Sequence, residues 1–286
     1  MTERKPIFFS RTFLIFLSLL LCCCGWLFYS TSLSKNTSLS KNNANNSCKT
    51  DNIRRSWPLT FDDEFNGTAI DWSKWSDGSK NWKAGGNGEQ QVYVDDAHKV
   101  SNGILRLRAD KPNVNGDPYP SAMLNTFGTF QQTYGYFEAR AKVPQGKGLW
   151  PAFWLYDSTQ GSAYEIDIME NRGDKTNVNY MTYHSPSGQL QKTYRGVDLS
   201  ADFHTYAVKW TPGLIIFCLD DVERFRVTQN VFTRPMAVLL DLAVGGNWGG
   251  PPNSSTPFPS YFDVDYVHVY AMPGDNRNPP IRQSIK

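Results

Sequence analysis

The chain has 286 residues, enough for one sizeable domain with a full hydrophobic core. Lys and Arg number 29 against 27 Asp and Glu, a formal net charge of +2. So near-neutral a balance gives no electrostatic reason to expect nucleic acid or an anionic membrane surface as a partner.

Residues 1–11 carry Arg4, Lys5 and Arg11. Residues 12–29 (TFLIFLSLLLCCCGWLFY) carry no charge, and the next positive residue is Lys35. This asymmetry puts the N-terminus in the cytoplasm and the remainder outside. An apolar run of about eighteen residues sits at the lower limit for crossing a bilayer. It is long for a cleaved signal, and no A-x-A-like site follows. The segment therefore reads as a signal anchor in preference to a signal peptide. The protein is expected to be extracytoplasmic, anchored at the cell surface or secreted, with membrane contact only through residues 12–29.

Residues 30–56 hold TSLSKN twice in tandem and then an Asn-rich run, the composition of a flexible linker. Of the five Cys, three (Cys22, Cys23, Cys24) lie in the apolar run, which leaves Cys48 and Cys218. Two separated cysteines form neither a disulfide framework nor a metal site. A Cys48–Cys218 bridge is open to an oxidising compartment. The favoured expectation is a buried Cys218 on a strand and an exposed Cys48 in the linker.

From residue 57 to 272 short alternating segments are broken by Gly, Pro, Asn and Asp. In Tyr136–Val143, Phe137, Ala139, Ala141 and Val143 face the core, and Tyr136, Glu138, Arg140 and Lys142 face away. Further strands are expected at Ile104–Ala109, Ala152–Tyr156, Val178–His184, His204–Trp210, Leu214–Asp220, Met236–Val244 and Phe262–Ala271. Many short strands with turn signals between them imply an all-β sandwich or jelly roll, with a concave face where a linear polymer can lie. Residues 273–286 form a C-terminal tail. Gly85-Gly86-Asn87-Gly88 opens no helix after an apolar strand, so it is not a dinucleotide loop. There is no G-x-S-x-G elbow, and the four His lack zinc-ligand spacing.

The chemistry concentrates in Glu165-Ile-Asp-Ile-Met-Glu170. On a strand Glu165 and Asp167 share a face and Ile166 and Ile168 take the other. Glu170 would point the wrong way in a regular strand; a β-bulge at about Met169 returns it to the acidic face. Three carboxylates on one face of an otherwise apolar strand have little structural reason to be there. They are what glycoside hydrolysis uses: one carboxylate attacks the anomeric carbon, the other protonates the leaving oxygen, and a third tunes both.

This segment resembles the signature of glycoside hydrolase family 16, in the bulge-type branch that holds laminarinases, agarases and carrageenases. Phe61–Gly67, Tyr134–Arg140, Gly148–Trp154, Gly245–Gly249 and Val264–Tyr270 are similar to other family segments, in the same order. The resemblance implies a concanavalin A-like β-jelly roll with an open cleft and a retaining endo-hydrolase of a β-linked polysaccharide, first of all β-1,3-glucan. It implies Glu165 as nucleophile, Asp167 as assisting acid and Glu170 as general acid/base. It places Trp150, Trp154, Trp248, Asn87, Glu89, Arg140 and His184 near bound sugar. Catalysis needs no cofactor. A structural calcium is implied on Asp265 and the backbone carbonyls of Glu64 and Gly103, away from the cleft; alternation puts Asp265 on the face of Val267 and Val269. A monomer is the expected state. Thr159–Tyr164 departs from the Trp-Pro segment typical of laminarinases. That leaves open mixed-linkage glucan, galactan or transglycosylation, and a non-catalytic glucan-binding protein is the alternative from another class.

Overall fold

In the computed structural model, residues 48–114, 116–275 and 277 are described. The expected segments 1–11, 12–29 and most of 30–56, and nearly all of the 273–286 tail, lie outside them. No helix among the described residues is long and apolar enough to cross a membrane.

Two antiparallel sheets face each other. The seven-stranded sheet runs, with strands numbered in chain order, β12 (Gly188–Arg195), β11 (Val178–Ser185), β10 (Glu165–Glu170), β9 (Leu149–Tyr156), β16 (Ala237–Val244), β7 (Met123–Asn125) and β2 (Ser76–Asp77). The eight-stranded sheet runs β15 (Val222–Val227), β14 (Leu214–Leu219), β13 (His204–Thr211), β8 (Gly135–Lys142), β17 (Ser260–Tyr270), β5 (Ile104–Ala109) and β4 (His98–Ser101), with β1 (Leu59–Asp63) also on β17. A short parallel pair, β3 (Gln91–Tyr93) and β6 (Tyr119–Ser121), stands apart. This is the expected jelly-roll sandwich.

Period-two alternation decides which side chains enter the space between the sheets. Leu149, Phe153 and Leu155 of β9 and Val238, Leu240, Leu242 and Val244 of β16 meet Phe137, Ala139 and Ala141 of β8 in one core. The complementary residues of β9 and β16, among them Trp154, Ala152, Leu239 and Ala237, form a second cluster on the far side of the seven-stranded sheet. That sheet is therefore apolar on both faces, and its far face is where the acids emerge.

The linker expectation fails for its last nine residues. Thr50–Ser56 is a helix, α1, packed on the outer face of the eight-stranded sheet. Ile53 packs with Tyr136, Ile216 and Tyr270, and Cys48 is bonded to Cys218 with a Cα–Cα distance of 5.8 Å. The expectation of an exposed Cys48 is corrected: the residue is fully buried. Glu138 faces away from the main core as expected, yet α1 covers it completely. Thr50 Oγ1 donates to its Oε2 at 2.5 Å, and Arg54 and Tyr266 reach its Oε1 at 3.3 and 3.0 Å. A carboxylate so buried needs these partners.

Candidate active site

The bulge is present. Against β9, the β10 register runs Glu165↔Tyr156, Asp167↔Trp154, then shifts so that Met169 pairs with Phe153 and Glu170 with Ala152. Ile168 and Met169, adjacent in sequence, both point into the core. The extra residue restores the phase, and Glu165, Asp167 and Glu170 line the same cleft, a space of about 620 Å³.

Neighbouring strands hold these carboxyl groups in place. His184, opposite Glu165 on β11, brings its Nε2 to 3.0 Å from Asp167 Oδ2 and 3.7 Å from Glu165 Oε1. Trp150 Nε1 donates to Glu170 Oε1 at 3.0 Å. Burial is the main force on the acids. It pushes Glu165 up to about 9, helped by Asp167 and opposed by the charge of His184. It pushes Glu170 up to about 8, opposed by the Trp150 bond and helped by Glu165. Asp167 is raised well above its ordinary value by burial and by Glu170. Acids this close titrate as one unit, and the wall cannot hold all of them ionised near neutrality. The site is thus built to keep at least one proton, which is the requirement for general acid catalysis.

Trp150, Trp154, Trp248, Asn87, Glu89 and His184 also line the cleft. Trp150 and Trp248 rings lie 4.9 Å apart, and Tyr180 meets Trp248 edge-on at 4.7 Å. Trp248 sits on the four-residue helix Gly246–Gly249, whose approach to Trp150 needs glycine. Gly246 has φ +88°, and a Cβ there would lie 3.2 Å from the Trp150 ring. Asn87 donates through its backbone N–H and its amide to the two oxygens of Glu89, at 2.7 and 3.1 Å. Trp154 is nearly buried; its Nε1 donates to Asp241 Oδ1 at 2.9 Å.

The chain's match to the glycosyl hydrolases family 16 model spans residues 86–267. The chain belongs to glycosyl hydrolase family 16. It is 36% identical over 247 residues to a beta-glucanase of Rhodothermus marinus, covering 75% of this chain and 85% of that one. It is 35% identical over 244 residues to the endo-1,3-1,4-beta-glycanase ExsH of Rhizobium meliloti, covering 76% of this chain and 52% of that protein, so it spans about half of that relative's length. Among solved structures, an endo-beta-1,3-glucanase from Pyrococcus furiosus superposes with a TM-score of 0.69 at 34% identity, covering 75% of this chain and 94% of the other.

Two expectations are corrected. Arg140 is not a cleft residue. It lies on β8, in the other sheet, on the face away from the core, where its Nη1 donates to Asp265 Oδ2 at 2.5 Å. Asp265 does not share the face of Val267 and Val269 either. A register shift between Val264 and Tyr266 inserts one residue, which turns Asp265 outward, with its side chain one-third exposed. The calcium implied on Asp265, Glu64 and Gly103 meets a carboxylate already held by a guanidinium. A dication would have to expel Arg140 and rely on one side chain and two carbonyls, so the residues do not fit it as they stand. The Glu64 side chain turns to His268, at 2.5 Å.

Among the cleft residues that were not anticipated are Trp82, Tyr93, Tyr156, Asp241 and Gln191. Trp82 crosses Trp154 and Tyr156 edge-on, each at 5.3 Å, extending the aromatic floor. Asp241 did carry a signal, as the lone acid in the apolar run Met236–Val244. Trp82 and Gln191 lie in segments with no periodic pattern.

Proposed function

We propose that this protein is a retaining endo-hydrolase of β-1,3-glucan. The observation that carries the reading is the bulge in β10, which brings Glu165, Asp167 and Glu170 into line on one wall of an open, aromatic-lined cleft. The relatives' names, an endo-beta-1,3-glucanase, a beta-glucanase and an endo-1,3-1,4-beta-glycanase, support a β-glucan, and the first of them supports the β-1,3 linkage. Glu165 attacks the anomeric carbon and forms a glycosyl ester, while Glu170 gives its proton to the departing glycosidic oxygen. Glu170 then takes a proton from water as the ester is hydrolysed. Asp167, beside Glu165 and bonded to His184, holds the nucleophile's environment. Trp150, Trp248 and Trp82 offer ring faces on which pyranose rings stack.

Before attack Glu165 must lose its proton. His184, 3.7 Å away, favours that loss, and the acids, which titrate as one unit, must then carry their shared proton on Glu170 for the leaving group. The segment Thr159–Tyr164 contributes Ser162 to the cleft rim, and Tyr164 packs edge-on against Phe232. This rim is where preference among β-glucans is expected to be set.

We further place the domain outside the cytoplasm. The charge asymmetry around residues 12–29 and the Cys48–Cys218 bridge support this, since such bridges persist in oxidising compartments. Protease shaving of intact cells that left the domain untouched, with digestion after lysis, would contradict it.

A reducing-sugar assay over laminarin, mixed-linkage glucan and a galactan tests the function. Laminarin is expected to release oligosaccharides fastest. Release from galactan alone would move the substrate, and release from none would favour a glucan-binding protein.

A further inference from the structure

Asp241 is the one acidic residue of β16. In the row across the sheet it pairs with Ala152 of β9, and Ala152 pairs with Glu170 of β10. Two strand spacings, about 10 Å between Cα atoms, separate Asp241 from Glu170. The side chain between them is a single methyl group, and both acids open on the same cleft.

The hydrogen bonds around Asp241 have a fixed direction. Trp154 Nε1 can only donate, and does so to Oδ1 at 2.9 Å. Gln91 Oε1 accepts from the backbone N–H of Val244 at 2.8 Å, which turns its amide nitrogen toward the Tyr93 hydroxyl at 3.1 Å. The phenol receives that bond and has its own hydrogen left for Asp241 Oδ2, at 2.8 Å. One donor on each oxygen, with no acceptor bonded to either among the described residues, is an arrangement for the ionised carboxylate. Among the described residues no ion pair joins Asp241 to a lysine or arginine. A buried anion without a cation lowers stability, so its presence calls for a role.

The titratable groups facing it are Tyr93 on β3, Glu89 before β3, and Glu165, Asp167 and Glu170 on β10. Lys83 and His184 line the same cleft. Burial pushes Asp241 up to about 7, and the bonds from Tyr93 and Trp154 work against that rise. Where those bonds hold it ionised, its charge adds to what holds protons on Glu170 and Glu165.

We propose that Asp241 is a positioning residue for the cleft's proton: fixed as an anion by Tyr93 and Trp154, it keeps Glu170 protonated until a sugar oxygen takes the proton. The inference rests on Glu170 as the general acid. Asp241→Asn preserves shape and still accepts from Trp154. Both limbs of its kcat/KM–pH profile on laminarin should move to lower pH by about one unit, because a fixed negative charge beside the acids is gone. Tyr93→Phe, which removes one donor and leaves the charge less secure, should move them in the same direction by less, and it carries the test if Asp241→Asn does not fold. Reduced turnover with both limbs unmoved would mean a purely structural role and would overturn the proposal. A readout that needs no turnover separates this from failure of the glucanase reading. Carbon-13 NMR of protein labelled at the glutamate carboxyls, with Glu170→Gln to assign the signal, should show Glu170 titrating about one unit lower in Asp241→Asn. An unchanged titration overturns the proposal whether or not the protein cleaves laminarin.

Discussion

Removing the Cys48–Cys218 bridge should weaken the whole domain without touching the cleft. The bridge spans 170 residues of sequence. In the chain-entropy picture, closing a loop of that length lowers the entropy of the unfolded chain by an amount worth ~5 kcal/mol at 25 °C. Measured bridges often deliver less, so a loss of about 3–5 kcal/mol is expected for a Cys48→Ser/Cys218→Ser variant. For a domain of this size that corresponds to a fall in Tm of roughly 10 °C. A second, local effect follows from geometry. The bridge pins α1 over Glu138, so without it the helix can lift and hydrate that carboxylate. Thermal and urea unfolding, followed by tryptophan fluorescence on oxidised, reduced and doubly substituted protein, gives the magnitude. Hydrogen exchange at residues 50–56 gives the local effect. Laminarin turnover at 25 °C should be unchanged, because α1 and the acids lie on opposite sheets. Equal Tm values for all three forms would refute the entropic reasoning.

Trp150→Phe removes the bond that favours ionised Glu170, so Glu170 should hold its proton to higher pH and the alkaline limb of the rate profile should move up; a downward shift would contradict the assigned direction. Deleting Met169 takes out the extra residue, so Glu165, Asp167 and Glu170 alternate regularly and stay on the acidic face, and the protein should stay soluble and keep laminarin turnover; soluble, folded protein without turnover would contradict this. Neither EDTA nor added calcium should change Tm, because Arg140 already holds Asp265; a calcium-dependent rise of several degrees would mean that the ion displaces that pair.

What was legible in the sequence was whatever repeats with period two. Ala152–Tyr156 and Met236–Val244 read correctly as strands because apolar residues dominate both faces, although the first of them begins three residues earlier, at Leu149. The bulge was legible because Ile168-Met169 interrupts an otherwise regular alternation of acid and isoleucine. The same alternation in Tyr136–Val143 already turned Arg140 outward, and family similarity pulled it toward the cleft against that local evidence. Asp265 was misplaced for the opposite reason. A second bulge in β17 breaks the period, and nothing apolar marks the inserted residue. Strand β12 left no trace because it is an exposed edge with polar residues on both faces. Helix α1 is too short for a 3.6-residue stripe. Its stability comes from Ile53, the bridge and the buried Glu138, all of them tertiary.

The most direct test of the account is the stereochemistry of the first product. Proton NMR of the anomeric signals during early hydrolysis of laminarin should show the β-configured reducing end first, with the α form appearing only by mutarotation, and Glu165→Ala should abolish the signal. An α-configured product appearing first would contradict a covalent intermediate on Glu165, and with it the central claim.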